Sequence, residues 1–217
     1  MNYLAHLYLA DGTPHSLLGN LLGDFVKGND LVTFPEGVRR GIRMHRQVDS
    51  FTDRHLAFHR SVSRISPRWG WFAGIIIDVY YDHLLASRWE RYSSTSLRTF
   101  ADDVYRVLEE HRALLPPHAK KPVARIIAND RLFSYARLEG ITAALVSISQ
   151  RIRERIPRRP VHLEDAVLDL QACHAELSAD FDIFFPELVA FTAEWKRTAP
   201  VSIDLNPPLP EPVVPIG

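Results

Sequence analysis

Residues 70–92, GWFAGIIIDVYYDHLLASRWERY, constrain the fold more than any other stretch of this chain. A helix drawn through them is apolar on every side, from Phe72 and Ile75–Ile77 through Val79–Tyr81 to Leu84 and Leu85. Such a helix belongs in the middle of a protein. Into it the sequence places Asp78 and Asp82, one helical turn apart, with His83 beside them. Positions i and i+4 share a helix face, so the two carboxylates are expected to project together. A buried carboxylate without a partner is costly or takes up a proton, and two side by side also repel. A shared cation resolves the conflict. It is either a divalent metal or an arginine, with Arg43 and Arg46 the candidates for a structural salt bridge.

The 217 residues suffice for one large domain with a full core. Lys plus Arg and Asp plus Glu both total 26, so net charge gives no general pull toward nucleic acid or membrane. The single cysteine, Cys173, excludes an internal disulfide and fits a reducing compartment. The opening MNYLAHLYLADG is apolar but too short to span a bilayer, and it lacks the basic start of a signal peptide. The expectation is a cytoplasmic protein with no membrane association and no nucleic-acid partner.

Helical periodicity dominates the rest. A short apolar helix over residues 3–10 ends at Asp11-Gly12, and Thr13-Pro14 opens the next, to about Asp24. Gly19 and Gly23 weaken that helix by about 1 kcal/mol each, but they permit a close neighbour. After a loop at Gly28-Asn29-Asp30, one long helix is expected from Pro35 to about Arg64, with Ser66-Pro67 breaking the chain before the central helix. Further helices are expected over 97–115, 118–133, 139–156 (ended by Pro157), 161–185 and, opened by Pro186, to about Arg197. No strand-like alternation or repeat occurs. The prediction is an all-α, single-domain helical bundle over 1–198. The tail, 199–217, with six prolines in its last eighteen residues, is expected to be extended or disordered.

Three segments hold the candidate site: Gly19 to Asp24, His45 to Asp53, and Asp78 to His83. Imidazole nitrogen and carboxylate oxygen together suit Mn, Fe, Zn or Mg, and no cysteine is near enough to suggest a thiolate zinc site. His45, Asp49 and Asp53 recur at four-residue spacing along one helix stripe. A di-iron bundle would want Glu-x-x-His pairs, and none is present. Walker loops, dinucleotide fingerprints and G-x-S-x-G elbows are absent too.

The order of MNYLAHLYLA, GNLLGDFVKG, GIRMHRQVDSFTDRH and IIIDVYYDHLLA resembles the acyl carrier protein phosphodiesterase family, also called acyl carrier protein hydrolyase. The resemblance extends over about residues 1–195, with SYARLEGI at 134–141 and DFDIFFPEL at 180–188 in register. It implies an all-α fold like that of the HD phosphohydrolases. The implied activity is a metal-dependent phosphodiesterase, usually manganese-supported, with Mg2+ or Fe2+ as alternatives. That enzyme releases 4′-phosphopantetheine from a serine of holo acyl carrier protein and leaves the apo form. HD enzymes use a His, a His-Asp doublet and a distant Asp as ligands. Here no histidine is followed by Asp, and the one doublet is reversed, Asp82-His83. The ligand set implied by the resemblance is Asp24, His45, Asp78 and Asp82, with His83 and Asp49 as second choices.

In that setting Arg43 or Arg46 would hold a phosphate oxygen or pair with the carboxylates. Asp49 would orient the His45 imidazole from one turn away, and His83 would act in positioning or proton transfer. His6 and Asn20 come close if the first two helices fold over the site. The acidic carrier asks for a basic docking surface. Lys27, Arg39, Arg40 and Arg43 form one cluster; Arg151, Arg153, Arg155, Arg158 and Arg159 form another. Trp69 and Trp71 are either core or the lining of a pantetheine channel. A metal-dependent phosphohydrolase acting on a nucleotide and a non-enzymatic helical adaptor that binds the carrier are the alternative functions.

Overall fold

The computed structural model describes residues 2–28, 31–156 and 161–199. Among these the chain forms eleven α-helices and no strand. In order they are α1 (Tyr3–Tyr8), α2 (Pro14–Leu22), α3 (Glu36–Thr52), α4 (Leu56–Trp69), α5 (Ala73–Ser87), α6 (Leu97–Glu110), α7 (Pro117–Ala128), α8 (Arg131–Ser134), α9 (Leu138–Arg155), α10 (Ala166–Ala172) and α11 (His174–Thr198). They form a single all-α domain. Asn29-Asp30, Pro157, Arg158, Arg159 and the tail from Pro200 lie outside the described residues.

Helix α5 carries the apolar stretch of residues 73–87, and it is buried from Ala73 to Ala86 except at Gly74, Ile75 and Asp78. It meets α1, α4, α9 and α11, so four elements cover its faces. Aromatic rings make much of that cover: Tyr81 packs edge-on against Phe58 and Phe181, and Phe184 closes the same cluster. Helices α2 and α3 form the tightest pair. A Cβ at Gly19 would lie 2.2 Å from the Val38 carbonyl oxygen and 2.8 Å from Gly41 Cα, so two glycines set this approach.

Local chemistry explains most helix starts. Thr13 accepts from the Ser16 N–H ahead of Pro14 at the first position of α2, as the Thr-Pro pair suggested. The expected 35–64 helix is instead two. Chain direction changes over Asp53–His55, where the His55 ring accepts from Ala57 N–H and caps α4. Helix α4 then runs through Ser66-Pro67, which the sequence reading took as a break. Proline at 67 cannot donate to the Ser63 carbonyl, and the Ser66 hydroxyl donates to that oxygen instead, at 3.3 Å. The stop comes at Gly70, whose φ of 50° suits glycine.

Pro186 likewise lies inside α11 and opens no helix of its own. Its neighbours Phe184, Phe185 and Leu188 are all fully buried, and their packing outweighs the roughly 3 kcal/mol that an interior proline costs. The break on that side falls at Cys173, between α10 and α11. The expected 118–133 helix is divided as well, where Asp130 takes a left-handed conformation between α7 and α8. No helix among the described residues is long and apolar enough to cross a membrane.

Candidate metal centre

Helices α1 and α3 bring the site together. His6 from α1 and His45 from α3 are both buried, and their rings stack at 3.7 Å between centroids and 16° between planes. Asp49, one turn beyond His45, serves both rings. Its Oδ1 is 3.2 Å from His6 Nε2 and its Oδ2 is 3.1 Å from His45 Nε2. Asp24, just past the end of α2, adds Oδ1 at 3.7 Å from His45 Nε2. His6, His45 and Asp49 form a compact group of metal-ligand atoms among the described residues. The imidazoles lie on the buried side, and the half-exposed Asp24 and Asp49 carboxylates form the open side.

Two backbone features hold His45. Its Nδ1 is 2.7 Å from the Asn20 carbonyl oxygen, which can only accept, so Nδ1 carries a hydrogen. Gly23 makes room for the ring: a Cβ there would lie 2.1 Å from His45 Cγ. Gly23 therefore serves a side chain, whereas Gly19 serves the helix approach. With hydrogen on Nδ1, the second ring nitrogen, Nε2, faces the oxygens of Asp49 and Asp24. Three lone-pair atoms thus converge and need a proton or a cation between them.

Charge follows the same geometry. Burial, and then the neighbouring His45, lower His6 to about 3, so it is neutral near neutral pH. Burial alone would raise Asp49, but hydrogen bonds from His45 and His6 outweigh it and hold the carboxyl well below its usual range. Asp24 is raised, chiefly by burial, with His45 acting in the opposite direction and Asp49 adding to it. The donor set suits a divalent ion. Adjacent ligands in an octahedral shell of radius about 2.1 Å stand about 3.0 Å apart, close to the 3.1 and 3.2 Å separations around Asp49.

The Asp78–Asp82 face does not form the shared site that its spacing suggested. Asp82 is fully buried, and both of its oxygens are taken by the start of α1. Oδ2 accepts from Leu4 N–H at 2.7 Å and Oδ1 from Ala5 N–H at 3.1 Å. Asp82 thus caps α1 across 78 residues of sequence, in place of the ligand role expected for it. Burial pushes its pKa up to about 7 despite those two bonds. Asp78 is half-buried and raised by burial, and it feels the charges of Asp49 and Asp53 without joining the histidine group.

His83 sits elsewhere, its Nδ1 2.8 Å from the Tyr135 carbonyl oxygen and its ring tilted against Tyr80. Arg43 and Arg46 also point away from the expected task. Arg43 pairs with Glu36, and Arg46 donates to the carbonyls of Val26 and Gly28. Two residues along a helix is about 200° of turn, so Arg43 falls on the face opposite His45. Instead the exposed Arg151 of α9 is the cation whose charge acts on both Tyr3 and Asp24. His6, a minor candidate in the sequence, is central here. Its spacing gave no signal because its partners lie on another helix. Trp71 is 95% exposed and Trp69 donates to Asp169 at 2.7 Å; neither is among the residues gathered at the centre.

Comparison with known proteins places the chain. The sequence profile described as acyl carrier protein phosphodiesterase matches residues 1–188. A protein named acyl carrier protein phosphodiesterase from Serratia proteamaculans is 34% identical over 190 residues, covering 87% of this chain and 96% of its own. Proteins of the same name from Photorhabdus laumondii (33% identical, 87% and 93% covered) and Escherichia coli O157:H7 (34%, 88% and 96%) match similarly. No solved structure matches the chain. By profile and by relatives across most of its length, the chain belongs to the acyl carrier protein phosphodiesterase family, hydrolases of phosphodiester bonds.

Proposed function

We propose that the protein is a metal-dependent phosphodiesterase that cleaves 4′-phosphopantetheine from the serine of holo acyl carrier protein, leaving the apo form. His6, His45 and Asp49 would hold the ion, with Asp24 at its edge. Mn2+ is the expected ion, with Mg2+ or Fe2+ as alternatives. The observation that carries this reading is the convergence of His6 Nε2, His45 Nε2 and the Asp49 carboxylate, with Asp24 on the open side. A single proton would charge a ring stacked on a second imidazole, whereas a divalent ion satisfies nitrogen and oxygen together. When bound, the ion supplies charge neutralisation for the anionic diester and a lowered pKa for water at the site.

The chain's own residues do the rest. Asn20 fixes the His45 tautomer, and Asp49 orients both rings. Asp24, with its raised pKa and open position, is placed to take a proton from attacking water. Arg151, whose charge acts on Asp24, would hold a phosphate oxygen in the role expected of Arg43 or Arg46. The acidic carrier would present its phosphodiester at the open Asp24–Asp49 side of the centre, drawn in by the basic outer face of α3. There a groove of about 490 Å³ is lined by Arg40, Arg43, Arg46, Gln47 and Trp195.

The test is incubation of the purified protein with holo carrier and Mn2+, followed by mass spectrometry of the carrier. Loss of the phosphopantetheine mass is expected, abolished by chelation and by His45→Ala or Asp49→Asn. Full turnover by rigorously metal-free protein would refute the metal assignment. No turnover with any divalent ion would refute the reaction.

A further inference from the structure

Arginine remains charged at any pH a protein meets, and a buried charge is normally paired. This protein follows the rule on its outside. Arg60 and Arg64 meet Asp180, Arg68 meets Asp169, Arg88 meets Asp182, and Arg98 meets Asp102 and Asp130. Arg131, at the start of α8, breaks it. It is 8% exposed and is the only arginine in the buried set among the described residues. Its partners are neutral: one Nη donates to the Gly140 carbonyl at 3.3 Å and the other to Ser147 Oγ at 3.2 Å. Both bonds are long, and together they use two of the five N–H groups of a guanidinium.

Arg131 also lines an open groove of about 910 Å³ between α8 and α9. Arg137, a second cation, shares that lining, and the hydroxyls of Ser134, Thr142 and Ser147 there donate to the Arg131, Leu138 and Ala143 carbonyls. Of the two acids there, Asp130 is already engaged by Arg98. The groove contains no residue of the His6–His45–Asp49 centre. An arginine fork with three N–H groups unused matches a tetrahedral oxyanion, which accepts bidentately and at several oxygens. The volume exceeds what a lone oxyanion fills and falls within the range of small-molecule sites.

We propose that the α8–α9 groove is a second ligand site that binds a phosphomonoester, its phosphate seated on Arg131 and Ser147 and the rest of the molecule lying along α9. The phosphate supplies the counter-charge that the fold withholds from Arg131. The anion site stands whatever reaction the metal centre performs; only the choice of the longer probe rests on the proposed function.

The experiment is calorimetric titration of the full chain with inorganic phosphate, 4′-phosphopantetheine and unphosphorylated pantetheine, in wild type and in His45→Ala. Binding of a phosphorylated probe that persists in His45→Ala and falls at least tenfold in Arg131→Met is expected. Pantetheine should not compete. Equal affinity for both phosphorylated probes would identify the phosphate group alone as the ligand. Tighter binding of 4′-phosphopantetheine would identify the extended molecule. Ser147→Asp keeps the test decisive if Arg131→Met fails to fold. A carboxylate there reaches Arg131 from within, so this variant should be more thermostable than wild type and should lose phosphate binding. Unchanged affinity in a folded Arg131→Met or in Ser147→Asp, or binding abolished by His45→Ala, would overturn the proposal.

Discussion

Replacing Asp82 separates a structural role from a ligand role more sharply than any other change in this protein. Its two oxygens accept the second and third N–H groups of α1, while Asn2 accepts the first through its side chain. In Asp82→Ala both N–H groups lose their acceptor inside a core where water does not replace it. A buried donor left unsatisfied costs about 1–3 kcal/mol, and loss of a helix cap costs about 1 kcal/mol in simpler settings. A net loss of about 2–4 kcal/mol follows, since some relaxation of a six-residue helix offsets part of it. For a chain of this size 1 kcal/mol moves Tm by about 2–4 °C, so a fall of about 5–15 °C is expected. Asp82→Asn keeps one acceptor oxygen and should lose about half as much. The assay is thermal and urea unfolding of each variant, with Mn2+ stoichiometry measured at saturation. A cap predicts lowered stability with one ion still bound, at weakened affinity because α1 carries His6. An unchanged melting temperature together with complete loss of bound metal would refute the cap and restore Asp82 as a ligand.

Gly23→Ala should displace the His45 ring, since its Cβ would fall 2.1 Å from Cγ; a tenfold or greater loss of Mn2+ affinity in a folded protein is the measurement to make. In metal-free protein, His6 and Asp82 should tilt the pH–stability curve in opposite senses. His6, lowered to about 3 from 6.5, makes the fold weaken as pH falls from 6.5 toward 3. Asp82, raised to about 7 from 3.8, makes it weaken as pH rises from 3.8 toward 7. In wild type these two slopes oppose each other between pH 4 and 6.5. His6→Gln should lose stability as pH rises there and Asp82→Asn as it falls, each by up to about 1.4 kcal/mol per pH unit, read by urea unfolding. Finally, kcat/KM for holo carrier should fall as salt rises, through screening over about 8–10 Å. Charge reversal at Arg40 and Arg43 should flatten that dependence while leaving metal content unchanged.

The centre of the fold was legible because α5 is apolar on all sides, and no other placement buries it. The same reading saw that Asp82 needed compensation but misjudged its source. A carboxylate announces itself in a sequence, whereas the N–H groups of Leu4 and Ala5 are like those of any other residue. The prolines misled for a related reason. A helix breaker is visible locally, but what overrides it is the burial of Phe184 and Phe185 around Pro186 and a hydroxyl at Ser66. Arg43 misled through adjacency, since two residues from His45 is the far side of a helix. His45, Asp49 and Asp24 were singled out because the stripe and the Gly-Asp turn are local patterns. His6 entered only as a residue that comes close if the first helices fold over the site, because only packing brings α1 to His45 and Asp49.

The dependence on packing has a consequence for how the centre comes to exist. Six residues are too few for a helix to persist alone, because nucleation costs more than so few turns return. Order in α1 is therefore borrowed, from the Asn2 side chain, from Asp82 on α5, and from burial of Leu4 and Leu7. His6 rides on that borrowed order, while His45 and Asp49 ride on α3, which is long enough to have helical character of its own. Half of the site is thus available early and half only when α5 is in place. An ion held by all three groups would then track the global fold and not α3 alone, and would stabilise it by the full linkage relation. The buried carboxylate on α5 joins the two halves: it orders the helix that brings His6 to His45 and Asp49.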